Sequence, residues 1–356
     1  MQAKNHSAGE RTTPRRLGYR MPAEWEPHRA TWLAWPHNLE TWPDQLELVK
    51  EIWVQMARAL SPAEEVCLLV DDEREQEEAA GRLERAGVVM EHLSIYRIPT
   101  VDVWFRDYGP NFITGKAAEK GLAFIDWIFN AWGGKYESYV QDDRVASEMA
   151  GLLGLPVFQQ EIVLEGGSID VNGRGTCLTT EQCLLNPNRN PRLARKEIEM
   201  ILADNLGVSR FIWLGDGIAG DDTDGHIDDI ARFVNPTTIV CALEEDPKDE
   251  NYRPLRENYE RLQGVADQDS KKIDVVTIPM PGRVVYEGAR LPASYANFYI
   301  ANGVVLVPTY NHPNDRPALG ILGDLFPGRK VLGIPCAALV AGLGAIHCVT
   351  QQEPSP

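Results

Sequence analysis

A short pattern recurs along this chain and limits what it can fold into: a polar residue, a short apolar strand, a tight turn and a return strand. The first copy is Asp107-Tyr-Gly-Pro-Asn-Phe-Ile-Thr-Gly115. The second begins at Glu165 and turns at Asn172-Gly173, a dipeptide suited to tight hairpins. The third runs from His226 and turns at Asn235-Pro236; the fourth runs from Ser294 and turns at Asn302-Gly303. Cys348 stands where a fifth would begin, after the small-residue approach Gly342-Leu-Gly-Ala-Ile-His347. The leading positions Asp107, Glu165, Asp228, Ser294 and Cys348 lie roughly 55 to 65 residues apart, a period typical of repeat architectures. Helical apolar spacing fills 142–153, 193–206, 252–263 and 318–326 between them. Each unit thus reads as hairpin, helix, strand. Stacked about one axis, such units would bring their leading residues to one end, so a single closed α/β repeat domain is expected over 17–356.

Ahead of the repeats, the pattern predicts a strand at 30–35, a helix at 44–60, a strand at 65–70, a charged helix at 72–86 and a strand at 88–98. Residues 1–16 are polar and read as a disordered arm without the apolar core of a secretory signal. No apolar run reaches the roughly 18 residues that span a bilayer. With 52 acidic and 35 basic residues the formal net charge is −17. That field disfavours nucleic acid and membrane surfaces as partners and favours a small cationic substrate. A cytoplasmic location is the expectation, with the six cysteines as reduced thiols. Five of them sit in strand-like apolar runs, and none is in a CxxC spacing, which argues against zinc or an iron–sulfur cluster.

The polar residues that the repeat gathers are Asp107, Glu165, His226, Asp228 and Cys348. Each has an ordinary reading when taken singly. Cys348 can be a buried thiol, Asp107 a surface partner of Arg106, Glu165 a turn cap, and Asp222 and Asp224 exposed loop acids. Together they suit a guanidinium, a planar cation whose donors match carboxylates in a fixed fork. Two aspartates would hold it, Cys348 would attack its carbon and His226 would move protons. A free thiol titrates near 8.5, so the cationic substrate or a histidinium must favour the thiolate. A metal reading has His226 and Asp228 at spacing two but no second histidine in a comparable motif. His347, next to Cys348, is expected on the opposite strand face.

Six segments in order resemble the agmatine deiminase family, within the guanidino-group-modifying superfamily that includes peptidylarginine deiminases. They are Met21-Pro-Ala-Glu-Trp-Glu-Pro27, Trp104-Phe-Arg-Asp-Tyr-Gly-Pro110, Asp126-Trp-Ile-Phe-Asn-Ala-Trp-Gly-Gly134, Leu164-Glu-Gly-Gly-Ser168, Gly225-His-Ile-Asp-Asp229 and Gly344-Ala-Ile-His-Cys-Val-Thr-Gln-Gln-Glu-Pro354. The resemblance implies a five-bladed pseudo-fivefold α/β propeller, the pentein fold, and cofactor-free, metal-free hydrolysis. The implied reaction takes agmatine to N-carbamoylputrescine and ammonia, on a route to putrescine and the polyamines. Carried over by position, Cys348 becomes the nucleophile and His226 the general acid/base. Asp107 and Asp228 become the guanidinium clamp, and Glu165 orients substrate and His226. Trp104 and Trp132 become aromatic walls. Asp222 stands where the family commonly has a glutamate and is the candidate for the substrate's amine. The segment Lys135-Tyr-Glu-Ser-Tyr139 departs from the longer loop usual in the family and leaves free or peptidyl arginine open as substrates. Amidino transfer to an amine acceptor and guanidine binding without turnover are the alternatives of other classes. Association into a homo-oligomer is compatible with the sequence, which carries no feature that fixes it.

Overall fold

The computed structural model describes residues 12–115 and 121–356. Four sheets repeat one plan, an antiparallel pair followed by a parallel one. Asn111–Thr114 pairs antiparallel with Leu122–Ile128, which runs parallel to Val157–Val163. The same order holds for Ile169–Val171, Thr176–Thr180 and Arg210–Leu214. It holds again for Ala231–Asn235, Thr238–Leu243 and Asp274–Pro279, and for Tyr299–Ile300, Val304–Thr309 and Lys330–Pro335. Parallel neighbours need a crossover, and the helices Arg144–Leu153, Arg195–Leu206, Tyr252–Leu262 and Asp315–Leu325 supply it.

A fifth sheet joins the two ends of the chain. Gln351–Pro354, just after Cys348, pairs antiparallel with His28–Ala34, which runs parallel to Glu65–Val70. Its crossover is the helix Leu46–Leu60, whose apolar stripe buries Val49, Ile52, Trp53, Met56 and Leu60. The Trp53 indole N–H donates to the Ala34 carbonyl at 2.8 Å and ties that helix to the strand. A further crossover, Glu73–Arg85, leads to the added strand Leu93–Arg97; its N-cap is Asp72, which accepts the Glu75 N–H at 2.9 Å. The expected strand over 88–98 is therefore shorter, because a 3₁₀ turn at Met90–His92 occupies its first half.

Glu24, in the first of the six quoted segments, is buried and stitches several units together. Its carboxylate accepts the Ile300 N–H at 2.7 Å and lies 2.9 Å from Arg232 Nη2 and 2.8 Å from His347 Nε2. Arg232 in turn holds Asp170 at 2.5 Å. Removing one member of such a buried network leaves uncompensated charge and costs about 3–5 kcal/mol. Of the expected arm, residues 1–11 lie outside the described residues. Residues 12–16 are placed: Arg15–Leu17 forms a 3₁₀ turn whose Arg15 reaches the Val208 carbonyl at 3.5 Å. No helix among the described residues is long and apolar enough to cross a membrane.

Candidate functional site

Each leading residue sits at the mouth of its unit, just before or inside a short turn that precedes the first strand. Asp107 lies in the turn Phe105–Tyr108, Glu165 immediately before Gly166–Ser168, Asp228 in Ile227–Asp229 and Cys348 in His347–Val349. All four are buried, as is His226. Gly167 marks where three of them, His226, Asp107 and Asp228, converge. A Cβ built there would lie 2.6 Å from His226 Nδ1, 2.9 Å from Asp107 Oδ1 and 3.2 Å from Asp228 Oδ2. Its own N–H donates to Asp107 Oδ1 at 3.0 Å. Only a glycine lets the backbone come this close.

The thiol and the carboxylates share one locality. Cys348 Sγ lies 3.9 Å from Asp228 Oδ2, and His226 Nδ1 lies 3.7 Å from Asp107 Oδ1. Trp132 donates its indole N–H to Asp107 Oδ2 at 2.9 Å, from a backbone at φ 54°, a left-handed value a bulky residue adopts only under constraint. Asp228 Oδ1, Glu165 Oε2 and His226 Nε2 are buried without a protein partner. Buried polar atoms are normally satisfied, so the two carboxylate oxygens left open here point to a ligand that donates.

Charge follows this geometry. Burial raises the Asp107 carboxyl to about 6; Asp228 and Glu165 add to that and the neighbouring His226 opposes it. For His226, burial works against the imidazolium, yet Asp107, Cys183 and Glu165 outweigh it and raise the ring well above its ordinary value. Burial also pushes the Cys348 thiol well up, helped by Asp228, Asp229 and Asp107. Asp228 ends below the usual range although burial opposes its charge, because His347 donates to it.

A cavity of about 240 Å³ opens onto Cys348 and Asp107. It is smaller than the roughly 300–1,000 Å³ of sites for drug-sized ligands, so it fits a slender molecule. Trp104 and Trp132 line it, with Tyr136, Tyr139, Glu40 and Asp222 also on its wall. Trp104 is wedged against Gly344, where a Cβ would meet the indole at 2.3 Å. Asp222 is already engaged. The Tyr136 hydroxyl donates to it, and Lys135 Nζ lies 3.3 Å from its carboxylate and 2.5 Å from its carbonyl.

Three neighbours escaped the sequence reading, and a fourth, His347, was expected to face elsewhere. Asn297, three residues after the leading Ser294, donates to Cys348 Sγ at 3.1 Å and accepts the His347 N–H at 2.9 Å. His347 does not point away from the thiol's surroundings. The segment is a 3₁₀ turn and not a strand, and the ring bridges Asp228 Oδ2 at 2.6 Å and Glu24 Oε2 at 2.8 Å. Arg189 holds Glu165 Oε1 at 2.7 Å and the Thr223 carbonyl at 2.9 Å, linking Glu165 to the loop before His226. Cys183 is no strand thiol: it lies in the turn Glu181–Leu184, beside Glu165 and His226. Thr180 puts it there, accepting the Cys183 N–H at 3.3 Å and donating to the Gly225 carbonyl at 2.6 Å. The repeat pattern gives no signal for Arg189 or Cys183, because neither occupies a leading position.

Residues 20–354 match the model of the Porphyromonas-type peptidyl-arginine deiminase family. The chain belongs to that family. It is 37% identical to the agmatine deiminase of Ectopseudomonas mendocina, over 97% of this chain and 98% of that one. Among solved structures, the agmatine deiminase of Enterococcus faecalis superposes with a TM-score of 0.89 at 34% identity, covering 98% of both chains. A substrate-bound agmatine deiminase of C. jejuni gives a TM-score of 0.84 at 31% identity, over 95% of this chain and 96% of that one. The mixed α/β fold is thus that of the family's solved members.

Proposed function

We propose that this member of the family hydrolyses agmatine to N-carbamoylputrescine and ammonia through a covalent intermediate on Cys348. The observation that carries the reading is the convergence at Gly167 of His226, Asp107 and Asp228, with the Cys348 thiol 3.9 Å from Asp228, beside a slender cavity. Full-length likeness to agmatine deiminases of two other organisms supports the substrate. In this reading the five sheets are blades about a common axis, and the leading residues face its centre.

Asp107 and Asp228 grip the guanidinium from two sides, and Glu165 Oε2 takes a further N–H. Trp104 and Trp132 sandwich the methylene chain. The carboxylates hold Cys348 as a thiol until the cation binds; the guanidinium then offsets their charge and favours the thiolate, and the thiol proton passes to solvent. The thiolate adds to the guanidinium carbon. His226, protonated at rest, gives its proton to the departing nitrogen, which leaves as ammonia, and an amidino-thioether remains on Cys348. Neutral His226 then takes a proton from water, the hydroxyl adds to the same carbon, and the C–S bond breaks to release the ureido product and the thiol. Proton transfers of this kind contribute about 10²–10⁴-fold.

Asp222 receives the substrate's amine, sharing its carboxylate with Tyr136 and displacing Lys135 outward. The deciding measurement is ureido formation from agmatine, free arginine and a blocked arginyl peptide, with wild type and Cys348→Ser side by side. Turnover of agmatine alone, lost in the variant, is the expected result. Preference for arginine or the peptide would discard the Asp222 assignment but keep the chemistry. No ammonia from any of them, with turnover appearing once an amine acceptor is added, would replace the hydrolase by an amidinotransferase.

A further inference from the structure

The Cys183 thiol has no step in the proposed reaction, yet it lies against two residues that do. Cys183 and Glu165 are fully buried and His226 is 1% exposed. A thiol sulfur, a carboxylate oxygen and a ring nitrogen of these three all lie within 4.8 Å of one another. Glu165 gives Oε1 to Arg189 and leaves Oε2 free, and His226 Nε2 also lacks a protein partner. The donor set of sulfur, nitrogen and oxygen is the one that borderline-soft divalent ions take, at bond lengths of about 2.0–2.3 Å. Its supports are in place: Thr180 fixes the Cys183 turn and Arg189 fixes Glu165. The one other such cluster among the described residues, His37 with Asp71 and Glu75, is half-exposed, has no thiol and already pairs internally at 3.6 Å.

We propose that Glu165, Cys183 and His226 form a binding site for a thiophilic divalent cation, Zn²⁺ or Cd²⁺, whose occupancy switches the enzyme off. The ion forms one bond to the thiolate sulfur, one to the imidazole and one to the carboxylate. The thiol proton and the imidazolium proton go to solvent, and nothing is oxidised or reduced. The ligand atoms draw in from their present spacing by about 1 Å to reach tetrahedral distances. The ion takes the lone pair His226 needs for proton transfer and the Glu165 oxygen offered to the guanidinium, so ion and substrate exclude each other. This inhibition rests on the roles given above to His226 and Glu165; the binding itself does not.

The binding test uses the full chain as Cys348→Ser, which removes the other thiol near His226. Titration with Cd²⁺ is followed by the ultraviolet thiolate-to-cadmium absorption. One equivalent should develop the band, and Cys348→Ser with Cys183→Ala should lose it. In parallel, Zn²⁺ should inhibit wild-type ureido formation competitively with agmatine and reversibly on chelation. Cys183→Ala should keep turnover and need at least about tenfold more Zn²⁺ for half inhibition. Cys183→Ser, nearly isosteric, serves in its place if the alanine variant does not fold. Equal zinc sensitivity in wild type and Cys183→Ala, or a cadmium band absent from Cys348→Ser, would overturn the proposal. If wild type turned over no guanidine at all, the functional reading would fall, and the cadmium band alone would decide the site.

Discussion

The floor and the mouth of the cavity are built on opposite principles. At the floor the residues are buried and four of them are held by a second one: Asp228 by His347, Asp107 by Trp132 and the Gly167 N–H, Glu165 by Arg189, Cys348 by Asn297. At the mouth, Asp222 is about one-third exposed and its partner Lys135 is 28% exposed. Electrostatic interactions strengthen where water is excluded and fade where it is not. In the proposed reading the chemistry is therefore rigidly fixed, and the choice of substrate tail rests on weak, exchangeable contacts. Substitutions at the floor should cost turnover, and substitutions at the mouth should move KM.

The largest effect is expected at Cys348, the proposed nucleophile. Cys348→Ser should lower kcat by at least about 10³-fold, because loss of the attacking group removes the covalent route. His226→Asn should cost about 10²–10⁴-fold. Gly167→Ala tests the convergence itself. Its added methyl would press on His226 and Asp107, so kcat should fall about 10²-fold, and the overpacking should cost about 1–3 kcal/mol of stability. An alanine variant with wild-type kcat would break the contrast between floor and mouth at its base.

Asn297 probes the support of the floor. Asn297→Ala removes the amide that meets both Cys348 Sγ and Asp229 Oδ1, at 3.1 Å each. A loss of about 1–3 kcal/mol is expected for the stranded buried partners, together with a lower kcat. If stability alone falls, Asn297 is packing and not part of the thiol's environment.

How much of this was readable in sequence follows the same divide. The repeat revealed four hairpin sheets because local patterning, a turn dipeptide and a crossover helix specify each one. It left the fifth incomplete, since the strand that pairs with Gln351–Pro354 is His28–Ala34, more than three hundred residues away, and nothing local announces the pairing. Asp107, Glu165, His226, Asp228 and Cys348 were readable because they lead the repeats or stand beside a leader. Arg189 lies in a connecting loop and acts only through tertiary contact. His347 was misjudged because strand alternation was applied to a segment that turns as a 3₁₀ helix. Lys135 was noticed as part of an unusual segment, but its contact with Asp222 joins loops 87 residues apart.

The floor also makes a pH prediction. Asp107 has a folded value of about 6 against an ordinary 3.8, so the folded state binds its proton more tightly than the unfolded chain does. Stability from this group is full below about 3.8 and is lost as pH rises toward 6, by up to about 3 kcal/mol. His226, also raised, contributes stability that is full below 6.5 and is lost as pH climbs through its higher folded value. Both act in the same direction, so the substrate-free fold should weaken with rising pH at this site. Unfolding of Asp107→Asn followed from pH 4 to pH 7 should show a flatter decline than wild type. Because the proposed clamp needs the ionised carboxylate, wild-type KM should rise as pH falls below about 6.

The smallest effects belong to the mouth. Asp222→Asn should raise KM for agmatine roughly 2–5-fold with kcat unchanged, the range for a partly exposed ion pair. Lys135→Met sharpens the point, because it removes the internal cation that competes for Asp222. It should lower KM for agmatine about 2–3-fold and leave a guanidine with an uncharged tail unaffected. If Lys135→Met instead raised KM, the lysine would be holding the Asp222 loop in place through its 2.5 Å contact with the carbonyl, and not shielding the carboxylate from substrate. That outcome would extend the rigidity of the floor to the mouth, and the tail site would then have to be sought at Glu40, the remaining acid on the cavity wall.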